Sequence, residues 1–323
     1  NLEPLSGYGS DKYTKSACER IKAACECEDA EVHLLTGGTQ TNALIISTML
    51  ADYEGVITAD TGHVGCHEAG AIEYTGHKVL PLPNHQGKLD AGEVEKYLKP
   101  FYADGNHEHM VFPGMVYISM STEVGTVYNR SQLKDLYYTC KQLGLYLFID
   151  GARLGYGLAA PTGDLTPADI AKFSDVFTVG GTKMGALFGE AVVINNPELN
   201  VRFRYMIKQR GAMLAKGWTL GIQFEALFED DLYYKISRHA NICADKLREK
   251  LTELGVEMLT QTTTNQLFPI MTDSVLDELG KSFTFTEMGR IDATHRAVRF
   301  CTSWATTEES VDRLCDKLTA LLG

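Results

Sequence analysis

The chain has 323 residues, more than one ordinary domain and fewer than three, which is enough to bury a large core. At 44% hydrophobic and 22% charged, it has the usual composition of a soluble globular protein. Its formal charge of -12 repels phosphate backbones and argues against a nucleic-acid partner.

Residues 11–28 read as a helix of mixed charge, with Ile21, Ala24 and Cys25 on one face. The apolar run Glu31–Leu35 follows as a strand and ends in Thr36-Gly37-Gly38-Thr39. There two glycines let the backbone turn, and a second helix runs from about Gln40 to Ala51 with Leu44, Ile45, Thr48 and Met49 at helical spacing. A helix N-terminus presents free N–H groups and partial positive charge, and small residues such as Gly38 and Thr39 let a phosphate approach. A tight turn with a capping threonine explains the same residues equally well. The segment is neither GxGxxG nor a P-loop, so it supports neither a dinucleotide nor a nucleoside triphosphate.

Val56–Ala59 and Lys78–Pro81 read as short strands. Between them, His63, His67 and Glu68 fall at i, i+4 and i+5. This HxxxHE order is not HExxH and finds no third ligand, so no metal is expected; a ring packed on a cofactor face suits His63 better. Met115–Met120 reads as a strand, and Ser131–Leu143 as a helix with Leu133, Leu136, Tyr137 and Cys140 on one face. Leu145–Ile149 is a nearly continuous apolar strand ending in Asp150-Gly151-Ala152-Arg153. Open α/β sheets place ligands at the carboxyl ends of their strands. A carboxylate buried there needs a cation, either Arg153 or a protonated ring nitrogen, unless Asp150 simply caps the next loop.

The strand Val176–Val179 leads into Gly180-Gly181-Thr182-Lys183-Met184-Gly185. Most lysines are surface charges. One set among glycines in an apolar pocket has a depressed pKa and a nucleophilic amine. Ala191–Ile194 is a further strand, a long helical region runs from about Leu199 to Gly255, short strands lie near Gln266–Met271 and Ala297–Thr302, and a helix from about Glu308 to Leu322 closes the chain. Apolar strands between amphipathic helices predict an α/β fold with a mostly parallel sheet covered on both faces. The expected division is a large domain over residues 1–205 and a smaller C-terminal α+β domain over residues 206–323, with no Pro/Gly-rich linker between them. The eight cysteines are scattered and read as reduced thiols of a cytoplasmic protein. No segment reaches the roughly 18 apolar residues of a membrane span, and no signal peptide is visible.

In this order, phosphate turn, histidine, DGAR and strand-then-lysine, the chain resembles the β-eliminating lyase family of fold-type-I pyridoxal-phosphate (PLP) enzymes, and within it the low-specificity L-threonine aldolases. The resemblance covers roughly residues 5–220 and returns at Val298-Arg299-Phe300-Cys301-Thr302-Ser303-Trp304. It implies an aspartate-aminotransferase-like large domain. It implies that Gly38, Thr39 and Asn42 lie near the phosphate, that His63 stacks on the pyridine ring and acts as a base or holds a water, and that Asp150 pairs with the ring nitrogen. Arg153 would meet the cofactor oxygen or the substrate carboxylate, and Lys183 would carry the cofactor. Lys216, ahead of Arg210, would help with the phosphate, Arg299 would bind the substrate's α-carboxylate, and Tyr8 would be lent near a shared active site. The implied reaction is cleavage of a β-hydroxy-L-amino acid (threonine, allo-threonine or phenylserine type) to glycine and an aldehyde, in a homodimer or homotetramer; a β-eliminating lyase or aminotransferase is the alternative. Two departures stand out. Where many such aldolases carry a Glu-Asn-Thr-His stretch, the matching segment here reads Ser119-Met120-Ser121-Thr122-Glu123-Val124-Gly125-Thr126, with no histidine, leaving Glu123 to take over part of that role. The family's N-terminal Ser-Asp segment is not visible from Asn1 onward.

Overall fold

The computed structural model describes residues 3–323. Its centre is a seven-stranded sheet made of β1 (Glu31–Leu35), β2 (Glu54–Ala59), β3 (Val79–Leu82), β4 (Phe112–Ser119), β5 (Tyr146–Asp150), β6 (Val176–Gly180) and β7 (Glu190–Ile194). The order is β1-β7-β6-β5-β4-β2-β3. Strands β3, β2, β4, β5 and β6 pair in parallel, and β7 runs antiparallel to both β1 and β6. The mostly parallel sheet expected from the apolar strands is therefore present, with one reversed strand.

Side chains alternate between the two faces of a strand, and the core follows that rule. Val116, Ile118, Leu147 and Ile149 face one layer, packed with Ala17, Ile21, Val94, Leu98, Leu133 and Leu136 from three amphipathic helices. Met115, Tyr117 and Phe148 face the other, with Leu44, Ile45 and Met49 of the helix Gly38–Met49. Asp150 has the parity of Phe148, and Ser119 that of Tyr117, so all four address the helix that begins at the glycine turn. The register aligns the strand ends: Ser119 pairs with Asp150, and Glu190 pairs with both Leu35 and Gly180. Because β7 is reversed, its first residue shares an edge of the sheet with the last residues of β1, β4, β5 and β6.

The expected helical region near 199–255 is three helices, Phe203–Gln209, Trp218–Leu227 and Leu232–Glu253. It is interrupted at Gly211 (φ +71) and at Asp230 and Asp231 (φ 47 and 56), where left-handed backbone cannot continue a right-handed helix. Sequence reading assigned no element to residues 91–103. A helix, Ala91–Ala103, forms there, capped by the Asp90 carboxylate accepting from the Glu93 N–H at 2.9 Å. A second sheet is antiparallel: β8 (Gln266–Leu267), β9 (Ile270–Thr272) and β10 (Thr286–Arg290) all pair with β11 (His295–Cys301). Apolar residues up to Ala240 pack with the seven-stranded sheet, and a third cluster begins at Cys243 around Leu267, Val298 and Leu318. Among the described residues no helix is long and apolar enough to cross a membrane.

Candidate active site

Asp150 ends β5 and is 5% exposed. Its Oδ2 accepts from the Tyr117 hydroxyl at 2.5 Å and from the Asn42 amide at 3.0 Å, and its Oδ1 accepts from the Ala152 N–H at 2.8 Å. Burial pushes the carboxyl up, but these three donors and nearby Lys183 outweigh burial and hold it below the ordinary range. A buried, ionised carboxylate is thus presented at the carboxyl end of the sheet. Gly151 makes the close turn possible: a Cβ there would lie 1.8 Å from the Thr178 carbonyl oxygen.

Lys183 sits in a short 3-10 turn, Thr182–Met184, beyond β6. Burial lowers its pKa, Arg153 lowers it further, and Asp150 and Glu190 oppose. The Tyr156 hydroxyl donates to the Lys183 carbonyl at 2.5 Å and fixes the turn. Across the same edge, the helix Gly38–Met49 begins at Gly37, which offers no side-chain cap, and its first turn holds no acidic residue. The N–H groups there are open to an anion. The Thr41 hydroxyl donates to the Gly37 carbonyl at 2.9 Å, inside the turn. A cavity of about 400 Å³ beside the turn is lined by Thr39, Gln40, Glu68 and Arg210, among others.

His63 opens a one-turn helix after Gly62. Burial brings its imidazole down to about 4, with Lys183, His67 and Arg153 acting the same way and Asp150 opposing, so the ring is neutral near pH 7. Its Nε2 lies 3.6 Å from Glu68 Oε1. The His63 backbone N–H donates to Glu123 Oε1 at 3.1 Å, and the Ser119 hydroxyl donates to the same oxygen at 2.5 Å. Burial nonetheless pushes Glu123 up to about 7, the hydrogen bonds and Arg153 opposing.

Two guanidinium groups here pair with no carboxylate among the described residues. The Arg153 guanidinium has no hydrogen-bond or ion-pair partner among the described residues. Arg299 reaches Gln266 Oε1 and the Thr286 hydroxyl at 3.4 and 3.5 Å, and its Nε is buried without a partner. Burial and the neighbouring Arg153 charge both lower its pKa. Two half-buried guanidinium groups near one another with no carboxylate between them make a site for an anion.

Asp150, Lys183, His63, Glu123, Arg153 and Arg299 are therefore neighbours, with Gly38 and Thr39 at the rim. Tyr8 is elsewhere within one chain: its N–H donates to the Ala215 carbonyl at 3.1 Å, Arg204 donates to its carbonyl, and Lys208 Nζ lies 4.6 Å from its ring centroid. Lys216 follows Ala215 on that side, whereas Arg210 lines the cavity with Thr39. Asn42, expected near a phosphate, bridges Asp150 and Glu68, donating to the latter at 3.1 Å. Tyr117, Ser119 and Glu190 were given no role by sequence reasoning, and Glu68 was weighed only as a metal ligand. Strand parity pointed to Tyr117 and Ser119, which lie on the Asp150 face of the adjoining strand. Nothing local marked Glu190.

The protein-family model described as beta-eliminating lyase matches residues 6–274. A low-specificity L-threonine aldolase of a Pseudomonas species is 33% identical, covering 98% of this chain and 90% of that one; the enzyme of that name from Pseudomonas aeruginosa is 31% identical with the same coverage. A solved Leishmania major threonine aldolase is 43% identical and superposes with a TM-score of 0.97, covering 100% of this chain and 93% of that one. A Thermus thermophilus aspartate aminotransferase mutant matches at a TM-score of 0.71 with 14% identity, covering 99% and 84%, a likeness of fold alone.

Proposed function

The chain belongs to the beta-eliminating lyase family, and from that premise we propose that it is a PLP-dependent aldehyde-lyase that cleaves β-hydroxy-L-amino acids to glycine and an aldehyde. The observation that carries this reading is the buried Asp150 carboxylate, held ionised by Tyr117, Asn42 and the Ala152 N–H, near a half-buried lysine and two guanidinium groups that pair with no carboxylate. The residues fit the cofactor: an anion cradle at Gly38 and Thr39, an amine of lowered pKa at Lys183, a neutral ring at His63, and a carboxylate for the pyridine nitrogen. When bound, PLP supplies a sink for the electron pair left when the substrate's Cα–Cβ bond breaks.

In this account Lys183 would hold the cofactor through its amine in the resting enzyme. Asp150 would keep the proton on the pyridine nitrogen, while His63, uncharged, would pack against the ring. Arg299, with Arg153, would grip the substrate's α-carboxylate and so orient the substrate in the site. Glu123 takes the proton from the β-hydroxyl oxygen, held in position by the Ser119 hydroxyl and the His63 N–H. Arg210, from the cavity wall beside Thr39, and Lys216 are the candidates for a further phosphate contact. Tyr8 reaches a neighbouring subunit's site in a homodimer or homotetramer working in the cytoplasm, so sedimentation should find no active monomer. We place the division of the chain inside the helix Leu232–Glu253, where the apolar core changes over between Ala240 and Cys243, later than residue 205.

The test is product analysis with L-threonine, L-allo-threonine and L-phenylserine. Glycine in equal amount with the aldehyde supports the reading. A 2-oxo acid with ammonia, or with the aminated cofactor, as the main outcome would overturn it in favour of β-elimination or transamination.

A further inference from the structure

Glu190 opens β7 and is 3% exposed. Its sheet neighbours are Leu35, which leads into the turn Thr36–Gly38, and Gly180, which leads to Lys183. Its Oε1 faces the Gly38 backbone, 3.8 Å from where a Cβ there would lie. Its Oε2 is buried with no hydrogen-bond partner. An ionised carboxylate buried without donors is strongly disfavoured. The titratable groups that face Glu190 are Asp150, Lys183 and Tyr233. Asp150 is ionised and repels a second negative charge, Lys183 attracts one, and Tyr233 is a fully buried neutral phenol whose own hydroxyl has no side-chain partner. Burial, with Asp150 adding to it, outweighs Lys183 and pushes the carboxyl up to about 8. An ionised carboxylate here would repel a phosphate at the turn. A protonated one has a hydrogen to donate to it, and hydrogen bonds to ionised acceptors are the strong ones.

The geometry points to Glu190 as a cofactor-anchoring acid: a neutral carboxyl that donates a hydrogen bond to the cofactor's phosphate, beside the open N–H groups of the helix Gly38–Met49. This inference rests on the PLP reading above. Its consequence is that phosphate recognition weakens as pH rises through about 8, because the donor is lost and a like charge takes its place.

The test uses the full chain stripped of cofactor, with deoxypyridoxine phosphate and deoxypyridoxine as probes. Neither has an aldehyde, so neither bonds to Lys183, and the ratio of their Kd values isolates the phosphate. Tryptophan fluorescence titrations run from about pH 6.5 to about pH 9.5, a window in which the phosphate is already largely dianionic. In the wild type the preference for the phosphorylated probe should fall about tenfold or more across the window. Glu190→Gln keeps a neutral donor and should hold a flat, high preference, whereas Glu190→Ala should be flat and about tenfold lower. A flat profile in the wild type, or an equal fall in Glu190→Gln, overturns the inference; if Glu190→Ala does not fold, those two proteins still decide it. A flat wild-type profile in a protein that carries borohydride-fixable cofactor removes only the Glu190 role. A protein that carries none removes the cofactor reading itself.

Discussion

Glu123→Gln removes the proposed base while keeping size and hydrogen-bonding reach. In the wild type, raising this carboxyl from its ordinary 4.5 to about 7 means that it is about one-tenth ionised at pH 6 and about nine-tenths ionised at pH 8. With cofactor saturating, kcat/KM for L-threonine should therefore climb nearly tenfold between those values. His63 does not contribute to that limb, because its imidazole titrates near 4. In the variant the limb should vanish, and the rate at pH 8 should drop by about 10²–10⁴. Stability supplies a second readout. The folded pKa lies above the unfolded one, so the folded state carries no penalty below about pH 4.5, and the penalty accrues as pH rises through about 7. At full ionisation it amounts to at most about 3 kcal/mol. Glu123→Gln should accordingly unfold at the same temperature as the wild type in acid and at a higher temperature at pH 8. The assays are glycine release against pH and thermal unfolding at both ends of the range. A rate limb near pH 7 that survives in Glu123→Gln would refute the assignment of the base.

Tyr117→Phe deletes one charge-assisted hydrogen bond to Asp150 and leaves two donors, so it should lower unfolding stability by about 1–3 kcal/mol and weaken cofactor binding roughly tenfold; unchanged cofactor titrations would count against the Tyr117–Asp150 link. Arg299→Lys keeps the charge but loses the planar fork. It should raise KM for β-hydroxy-amino acids about 10- to 100-fold, with a smaller change in kcat, and an unaltered KM in steady-state kinetics would move carboxylate binding to Arg153 alone.

The parts of the site that were legible in the sequence are those where chemistry and chain punctuation coincide. Asp150 and Lys183 each follow an apolar strand directly and precede or sit among glycines, so their place at the sheet edge could be read from two short segments. Gly38 and Thr39 could be placed at a strand-to-helix turn for the same reason, and the helix there begins without a side-chain cap. The contacts of Asn42 were not legible, because it is the period of 3.6 in the helix that turns this second-turn residue inward onto Asp150 and Glu68. Glu190 was invisible because its importance comes from the reversal of β7, which brings a strand's first residue to the edge where the others end. Sequence periodicity reports which face a residue occupies, not which way the strand runs. The helix Ala91–Ala103 was missed although Asp90 and Glu93 bracket its start, and the breaks at Gly211 and at Asp230–Asp231 were read through as one helical region.

The central claim is that a bound PLP is carried on Lys183 and poised by Asp150. The most direct measurement is borohydride reduction of the purified protein followed by proteolysis and mass mapping of the labelled peptide. The account predicts loss of the visible absorbance band and a single pyridoxyl label on Lys183, in the peptide that follows Val176–Gly180. A label on any other lysine, or a protein reconstituted with PLP that takes no label, would contradict it.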